Sequence, residues 1–355
     1  MVTLVRDRPV RVVLVGFGKT NQAVLELALT RPWLEIAGIV VRSAARDGEA
    51  AASRVEGAPD GLRCSIDLAG TLRTTRPDVV VVATATRLVD VLPVLAAIAP
   101  SGVPIVCTAE DLAFIRPGDS DEASRIIGLA ETHRIPIVAT GANPGFVLDV
   151  WPLTLSGLAW DVESLRARRI VDVSVFGPRV RASLGIDLTP EAFRAGIADG
   201  SVVGHAGFPE SLRILATAMG RDLERVEIVS EPILATEPLT IADGSVITTG
   251  RTAGADQRAI GWFEGRPWLD ISMTLHVRPA SAGLQPTDEI QLDGRHGLRV
   301  RVEPGCQALL STAAMIVNGL PQAMAASPGV HSPGDLPPVA PWFGERPPAW
   351  VPLRD

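Results

Sequence analysis

A short apolar segment that runs into two closely spaced glycines constrains the fold more than any other feature of the sequence. It reads RVVLVGFGKTN from Arg11 to Asn21. The apolar residues before Gly16 predict a strand buried on both faces, and a helix is predicted from about Gln22. A strand, a Gly-x-Gly turn and a helix in this order let the backbone approach a pyrophosphate, which binds to free N–H groups of the helix N-terminus. The pyrophosphate is therefore assigned to Gly16, Phe17, Gly18, Lys19, Thr20 and Asn21.

This fingerprint of a dinucleotide-binding loop is incomplete. Asn21 stands where such loops usually carry a third glycine. A Gly-x-Gly pair after a strand also closes ordinary strand-to-helix turns, so the motif needs support from the segments around it.

Strand and helix segments alternate through the first part of the chain, which gives that support. Strands are predicted at 11–15, 33–41, 78–83, 104–107 and 135–139, with helices near 21–30, 87–98 and 121–133. Continuous apolar strands that alternate with helices imply a parallel sheet with right-handed crossovers. We therefore predict an α/β, Rossmann-like dinucleotide-binding domain over residues 1–142.

The pattern changes in the second part of the chain. Polar and apolar residues alternate at 164–176, 225–229, 259–277 and 289–302, and only two helices are predicted, at about 190–198 and 209–219. Such alternation is typical of antiparallel strands with one covered face. We predict an α+β substrate and dimerisation domain with a mainly antiparallel sheet over residues 143–305. Residues 306–355 are predicted to form a C-terminal helix and a proline-rich surface tail that returns to the first domain.

Composition excludes several classes of protein. A formal net charge of −7 argues against a general nucleic-acid binder, and no apolar run near twenty residues predicts a membrane span. The first ten residues, MVTLVRDRPV, lack the apolar core of an export signal, so we expect a cytoplasmic protein. The three cysteines, Cys64, Cys107 and Cys306, are far apart and suggest neither a disulfide nor a metal site. Small molecules are the expected ligands.

The ends of the second and third strands suggest which dinucleotide binds. After the second strand, where NAD enzymes usually carry a carboxylate, the chain has Arg42 and Ser43. A cation and a hydroxyl suit a 2′-phosphate, which favours NADP, with NAD as the alternative. An ordinary solvated arginine is the other interpretation. The small and polar residues after the third strand allow the cofactor to approach, and they are Thr84, Ala85, Thr86 and Arg87.

The next two strand ends carry candidates for chemistry. The fourth strand ends in CTAEDL, which contains Thr108, Glu110 and Asp111, and the fifth ends in TGANPGF, which contains Asn143. A carboxylate at the fourth strand end is expected to face the crevice between domains, although either acidic residue could instead cap the following turn. The Asn-Pro-Gly turn is expected to bring an amide to the same crevice.

Several longer blocks resemble the 2,4-diaminopentanoate dehydrogenases and the related native amine dehydrogenases. They occur in the same order along nearly the whole chain and read CTAEDLAF, ATGANPGFVLDVWP, RRIVDVS, LGIDLTPEAFRAGIADGSVVGHAGFPES and STAAMIVNGLPQAMAASPGVHSPGDLP. The resemblance implies a Rossmann domain followed by an α+β substrate domain. It makes Glu110 the catalytic acid/base and puts the turn from Asn143 to Gly145 near the nicotinamide.

The chain also departs from that family. It contains no tyrosine, whereas family pockets often use tyrosines, so Phe146, Trp151, Phe176, Trp262 or Phe263 are candidates for a more apolar substrate pocket. The related dihydrodipicolinate reductases use paired histidines and a lysine acid. This chain has neither feature. Its single lysine is Lys19 in the glycine loop.

The favoured hypothesis is an NADP-dependent amine dehydrogenase, which aminates an aldehyde or ketone with ammonia and also catalyses the reverse reaction. An NADP-dependent carbonyl reductase and a non-catalytic dinucleotide sensor stay open as alternatives. A homodimer is also expected, because two helices are too few to cover the second sheet and the family commonly pairs through this domain.

Overall fold

The computed structural model describes residues 8–241 and 244–353, and within them the chain forms nine α-helices and fifteen strands. The helices are α1 Lys19–Ala28, α2 Leu68–Thr75, α3 Leu88–Ile98, α4 Asp121–Thr132, α5 Val150–Ser156, α6 Pro178–Ser183, α7 Pro190–Asp199, α8 Phe208–Ala218 and α9 Ala308–Ala325. The strands are β1 Val10–Val15, β2 Leu34–Val40, β3 Cys64–Ser65, β4 Val79–Val82, β5 Ile105–Cys107, β6 Pro136–Ala139, β7 Ser164–Asp172, β8 Arg225–Leu234, β9 Leu239–Thr240, β10 Val246–Ile247, β11 Thr252–Phe263, β12 Arg266–His276, β13 Thr287–Asp293, β14 Leu298–Val302 and β15 Gly329–His331.

The chain divides into two compact units. The first consists of Met1–Phe146 and Leu309–Asp355, and the second of Val147–Ala308. The sequence places the two corresponding boundaries near residues 142 and 305. The C-terminal segment belongs to the first unit together with the glycine loop.

The first unit is built on a parallel sheet, as the apolar strands predict. Its strand order is β15-β6-β5-β4-β1-β2-β3, and every recorded pairing is parallel. The residues of β4, Val79–Val82, are completely buried because β4 is central and both faces of the sheet are covered. The prediction of a Rossmann-like sheet is confirmed. Strand order reverses between β1 and β4, and ligands of such folds bind beyond the carboxyl ends of the strands at this position.

The C-terminal part of the first unit is more ordered than the predicted surface tail. The strand β15 extends the parallel sheet beside β6, and the indole N–H of Trp33 donates to the carbonyl of Trp342 at 3.0 Å. The helix α9 is long and apolar enough to cross a membrane by length and composition. Its residues Ile316, Val317 and Leu320 nevertheless lie in the hydrophobic core of the first unit. We therefore identify α9 as a core helix.

The second unit contains a mixed sheet with the order β14-β13-β7-β12-β11-β8. The β7–β12 pair is parallel and the other pairs are antiparallel, so the predicted mainly antiparallel sheet is confirmed. The alternating segment 259–277 overlaps the hairpin β11–β12, and the segment 289–302 overlaps the hairpin β13–β14. The described part of this unit has four helices, so the prediction of two was wrong. The two missed helices, α5 and α6, are short, and α6 begins at a proline.

The two faces of the mixed sheet differ in exposure. On one face Leu165, Ala167, Leu269 and Ile271 are completely buried, together with residues of α8, in the core of the second unit. The alternate residues are half-buried or exposed, as period-two strands with one covered face require. We call this second side the outer face. It carries Arg166, Arg168, Ile170, Arg258, Ile260, Asp270, Ser272, Thr274, Glu289, Gln291, Asp293, Arg299 and Arg301.

Candidate functional site

The glycine turn after β1 is packed closely against the end of β4. The N–H of Gly16 donates to Val40 at 2.8 Å, and the N–H of Ala83 donates to Val15 at 3.0 Å. Gly16 has a φ of 85°, and a Cβ added there would lie 2.5 Å from the carbonyl oxygen of Ala83. A side chain at residue 16 would therefore meet both backbone strain and a steric clash.

The N-terminus of α1 is open. Gly18 is its N-cap residue in an extended conformation, and no side chain caps the helix. A Cβ at Gly18 would meet no atom within 4 Å. The helix begins at Lys19 rather than near Gln22, so Lys19, Thr20 and Asn21 form its first turn. Uncapped N–H groups beside open space suit the pyrophosphate of a dinucleotide.

Side chains hold the carbonyl groups of the same loop. The Asn21 amide donates to Gly16 at 2.7 Å and to Val15 at 3.1 Å. The Phe17 carbonyl accepts from the Gln22 amide and from the Arg46 guanidinium, each at 3.1 Å. Sequence reasoning interpreted Asn21 as a missing glycine and did not assign Gln22 or Arg46 to the loop.

The segment after β2 is rich in arginine. Arg42 and Ser43 are exposed, and Ser43 is the N-cap of the 3-10 turn Ala44–Arg46. Arg46 also pairs with Glu49 at 2.5 Å, and Glu49 pairs in turn with Arg54 at 2.7 Å. Hydrogen bonds from Arg54 and Arg46 lower the pKa of the Glu49 carboxyl. No carboxylate directly follows β2, so nothing at that position repels a 2′-phosphate.

Asp111 joins the loops that follow β4 and β5. Its carboxylate accepts from the N–H of Leu88, the first residue of α3, at 3.4 Å and pairs with Arg87 at 3.5 Å. Its own N–H donates to Thr86 at 3.2 Å. Burial raises the pKa of the Asp111 carboxyl, and the nearby Arg87 opposes that shift. Asp111 therefore has a structural role, which the sequence had left open for either residue of the acidic pair.

Glu110 begins the 3-10 turn Glu110–Leu112 directly after β5 and is half-buried. Thr108 follows the strand, and its N–H donates to Val82 at 3.1 Å. The carboxyl ends of parallel strands share one edge of the sheet, so Glu110 lies on the same edge as the glycine turn. Nearby Cys107 is no nucleophile at neutral pH, because burial raises the pKa of its thiol to about 12.

The loop after β6 also lies on this edge. The bond from Asn143 to Pro144 is cis, and Asn143 is half-buried. Gly145 has a φ of 143°, and a Cβ there would overlap the backbone of Gly141. The N–H of Ala142 donates to the Thr312 hydroxyl of α9 at 3.2 Å. The C-terminal helix therefore supports this loop.

The predicted apolar pocket residues belong to different parts of the chain. Phe146 is half-buried at the end of the first unit's N-terminal segment. Trp151 on α5 and Phe176 after β7 pack against the core of the second unit. The Phe176 carbonyl accepts from Arg181 at 2.6 Å. Trp262 and Phe263 end β11, where Arg225 stacks on Trp262 at 3.7 Å.

The residues described offer no group of three or more His, Cys, Asp or Glu side chains that could hold a metal ion. The site is therefore characterised by a glycine loop, a cationic segment, a carboxylate and an Asn-Pro-Gly turn. These belong to the ends of β1, β2, β5 and β6.

The chain is similar to known dehydrogenases. It is 26% identical to the 2,4-diaminopentanoate dehydrogenase of Acetoanaerobium sticklandii over 331 residues, which cover 92% of this chain and 93% of that protein. The structure is similar to that of the amine dehydrogenase from Mycobacterium smegmatis, with a TM-score of 0.86, 21% identity and coverage of 96% and 99% of the two chains. It also resembles GenD2 from gentamicin A biosynthesis, solved in complex with NAD, with a TM-score of 0.52, 15% identity and coverage of 83% and 72%. At these identities the two structural comparisons establish the fold.

A family model covers the whole of the second unit and continues into the C-terminal segment. Residues 146–347 match the 2,4-diaminopentanoate dehydrogenase C-terminal domain. The match spans more than half of the 355 residues. The protein therefore belongs to the 2,4-diaminopentanoate dehydrogenase family, as its sequence blocks predict.

Proposed function

We propose that the protein is an NADP-dependent amine dehydrogenase that aminates a small aldehyde or ketone with ammonia and catalyses the reverse deamination. The observation that carries the proposal is the position of Glu110. Its carboxylate lies on the same sheet edge as the glycine loop and the uncapped N-terminus of α1. The family and the amine dehydrogenase from Mycobacterium smegmatis support the choice of an amine as substrate.

The first unit suits a nicotinamide dinucleotide. Gly16 and Gly18 allow close approach to the first turn of α1, and GenD2 supports this type of cofactor because it was solved with NAD. We assign the 2′-phosphate of NADP to Arg42 and Ser43, which are exposed directly after β2. The bound reduced dinucleotide supplies a hydride to the reacting carbon.

Glu110 is assigned the proton transfers of amination. As a carboxylate it accepts a proton from ammonium, and the resulting ammonia attacks the carbonyl carbon to form a carbinolamine. Glu110 then returns that proton to the hydroxyl group, which leaves as water and gives an iminium ion. Carbonyl compound, ammonium and hydride thus give one amine and one water, and Glu110 ends as it began. A carboxylate also stabilises the positive charge of the iminium ion.

The substrate is proposed to be small and largely apolar. Phe146, Trp151 and Phe176 are the aromatic side chains that we assign to it, and all three are half-buried. Hydroxyl groups of tyrosine are absent from the whole sequence, so polar recognition in the pocket relies on other groups. We further propose that the enzyme works in the cytoplasm as a homodimer.

The test is oxidation of NADPH with a panel of small ketones and aldehydes, with and without ammonium. We expect turnover that requires ammonium and an amine product identified by mass spectrometry. Equal turnover without ammonium, giving an alcohol, would identify a carbonyl reductase instead. Tight NADPH binding without turnover on any substrate would support a dinucleotide sensor.

A further inference from the structure

Three consecutive carbonyl groups of the glycine turn are held by side chains from outside the turn. Asn21 holds those of Val15 and Gly16, while Gln22 and Arg46 hold that of Phe17. We call Asn21, Gln22 and Arg46 the carbonyl clamp. Its members come from α1 and from the segment after β2.

Asn21 is the most deeply placed member of the carbonyl clamp. It is completely buried, so water does not compete for its amide. Both carbonyls that it meets are acceptors, which assigns the NH₂ group to them and leaves the amide oxygen buried without a partner among the described residues. Burying this oxygen without a partner costs free energy. The same orientation of the side chain lets its NH₂ group donate two hydrogen bonds to the turn.

The direction of the carbonyls matters for an anion. A carbonyl oxygen that turns toward a phosphate repels it, whereas N–H groups attract it. Hydrogen bonds that hold the carbonyls inward keep the turn in one conformation before the ligand arrives. A loop that is ordered in advance loses less conformational entropy on binding, so its affinity is higher.

We propose that Asn21 is a positioning residue that replaces the third glycine of the fingerprint and orders the turn for the dinucleotide pyrophosphate. This inference rests on the proposed function only in taking a dinucleotide as the ligand. A glycine at residue 21 would complete the motif but would supply no donor. The interpretation from the motif and the one from the structure therefore predict opposite effects of Asn21→Gly.

The main experiment compares Asn21→Asp and Asn21→Gly with the unaltered full-length protein. Asparagine and aspartate have the same shape, so Asn21→Asp keeps the packing and replaces the donor by an oxygen that faces two carbonyls. Matched controls are Asn318→Asp and Asn318→Gly, which make the same changes inside α9. These controls reproduce the loss of helix propensity without touching the glycine turn.

Three measurements are made on each protein. Dissociation constants for NADPH and NADH are obtained by fluorescence titration, thermal unfolding by circular dichroism, and exchange of the Gly16, Phe17 and Gly18 amides by hydrogen–deuterium mass spectrometry without ligand. We expect both Asn21 variants to bind NADPH and NADH about tenfold more weakly, since two hydrogen bonds are lost. We also expect faster amide exchange in the turn than in the Asn318 variants. The Asn318 variants should bind like the unaltered protein.

Unchanged affinity for both dinucleotides in Asn21→Gly would overturn the proposal, as would unchanged exchange of the turn amides. If Asn21→Gly fails to fold, the isosteric Asn21→Asp decides. Failure of the proposed function has a different signature, because the unaltered protein would then show no ammonium-dependent turnover or would bind neither dinucleotide. Amide exchange without ligand tests the carbonyl clamp in that case too.

Discussion

Glu110 and Asp111 are neighbouring carboxylates with different surroundings. Asp111 accepts from the first residue of α3 and pairs with Arg87, so its negative charge serves the connection between two loops. Glu110 begins the 3-10 turn after β5 and is half-buried. Proton transfer is the function that we propose for Glu110.

Replacement of Glu110 by glutamine tests this assignment. The amide keeps the shape of the side chain but cannot exchange the proton, so we expect amination to fall by about 10²-fold or more. The dissociation constant for NADPH should stay the same. Asp111→Asn is the matched control, and we expect it to lower the thermal stability more than the turnover. Turnover like that of the unaltered protein in Glu110→Gln would contradict the mechanism.

Arg42 is expected to set the preference between the two dinucleotides. A charge-assisted hydrogen bond contributes about 1.5–3 kcal/mol, so Arg42→Ala should weaken NADPH binding by roughly tenfold or more. NADH lacks the 2′-phosphate and should be affected little. Arg73→Ala, which removes an exposed arginine from the last turn of α2, is the control. Equal losses for both dinucleotides, or a preference of the unaltered protein for NADH, would refute the assignment.

At the scale of elements, the sequence predicted the strands that consist of long apolar runs. The strands β1, β4 and β6 are nearly or completely buried, and their mostly apolar sequences predicted both the elements and the parallel sheet. β3 and β15 were missed because they have two and three residues, and their pairing partners lie far away in the sequence. Local periodicity carries little information about such strands.

The sequence also predicted one part of the candidate site and missed another. The order of strand ends identified Gly16, Gly18, Glu110 and Asn143, because the ends of parallel strands meet at one edge. Whether these residues act as assigned stays a prediction. The carbonyl clamp was not predicted, since Arg46 reaches Phe17 across 29 positions of the chain. The one available signal was the unusual Asn21, which was interpreted as a defect of the motif.

Two strands of the second unit are connected by a buried ion pair. Arg169 on β7 and Asp288 on β13 are 2% and 1% exposed, with their Nε and Oδ1 atoms 3.0 Å apart. Asp288 also accepts from the N–H of Cys306 at 2.6 Å, and Arg169 donates to the carbonyl of that residue. The pair thus fixes the segment between β14 and α9. Burial, together with the neighbouring Asp288, raises the pKa of the Cys306 thiol to about 11.

Asp288→Ala should destabilise the protein strongly, because it leaves the Arg169 guanidinium buried without its partner. A loss of about 3–5 kcal/mol in the free energy of unfolding is expected from changes of this kind. The double change Arg169→Met with Asp288→Leu should cost much less, since no isolated charge remains. Chemical denaturation followed by circular dichroism measures both values. A cost below about 1 kcal/mol for the single change would indicate a solvated pair.

At the scale of the whole molecule, the outer face of the mixed sheet is the surface that we expect to bind a second copy of the chain. The number of helices was a weak reason for predicting a dimer, because four are present in the described part of the second unit. The position of the helices is a better reason, since α8 packs with Leu269 and Ile271 on the covered face, opposite to the outer face. The outer face combines Ile170 and Ile260 with charges of both signs. Cross-strand pairs join Arg166 to Asp293, Arg258 to Asp270 and Arg299 to Glu289.

A face with paired charges and half-buried isoleucines can meet a second copy of itself around a twofold axis without net repulsion. We therefore predict a homodimer through the outer face, with a mass twice that of the 37.4 kDa chain in light scattering at micromolar concentration. Ile170→Glu should convert it to a monomer, because the dimer would have to bury an extra charge. The matched control is Ile228→Glu on β8, where the isoleucine is 51% exposed and pairs with Ala259 of the covered face. That variant should stay dimeric. A mass of one chain for the unaltered protein, or a dimer that survives Ile170→Glu, would show that the outer face is not the interface.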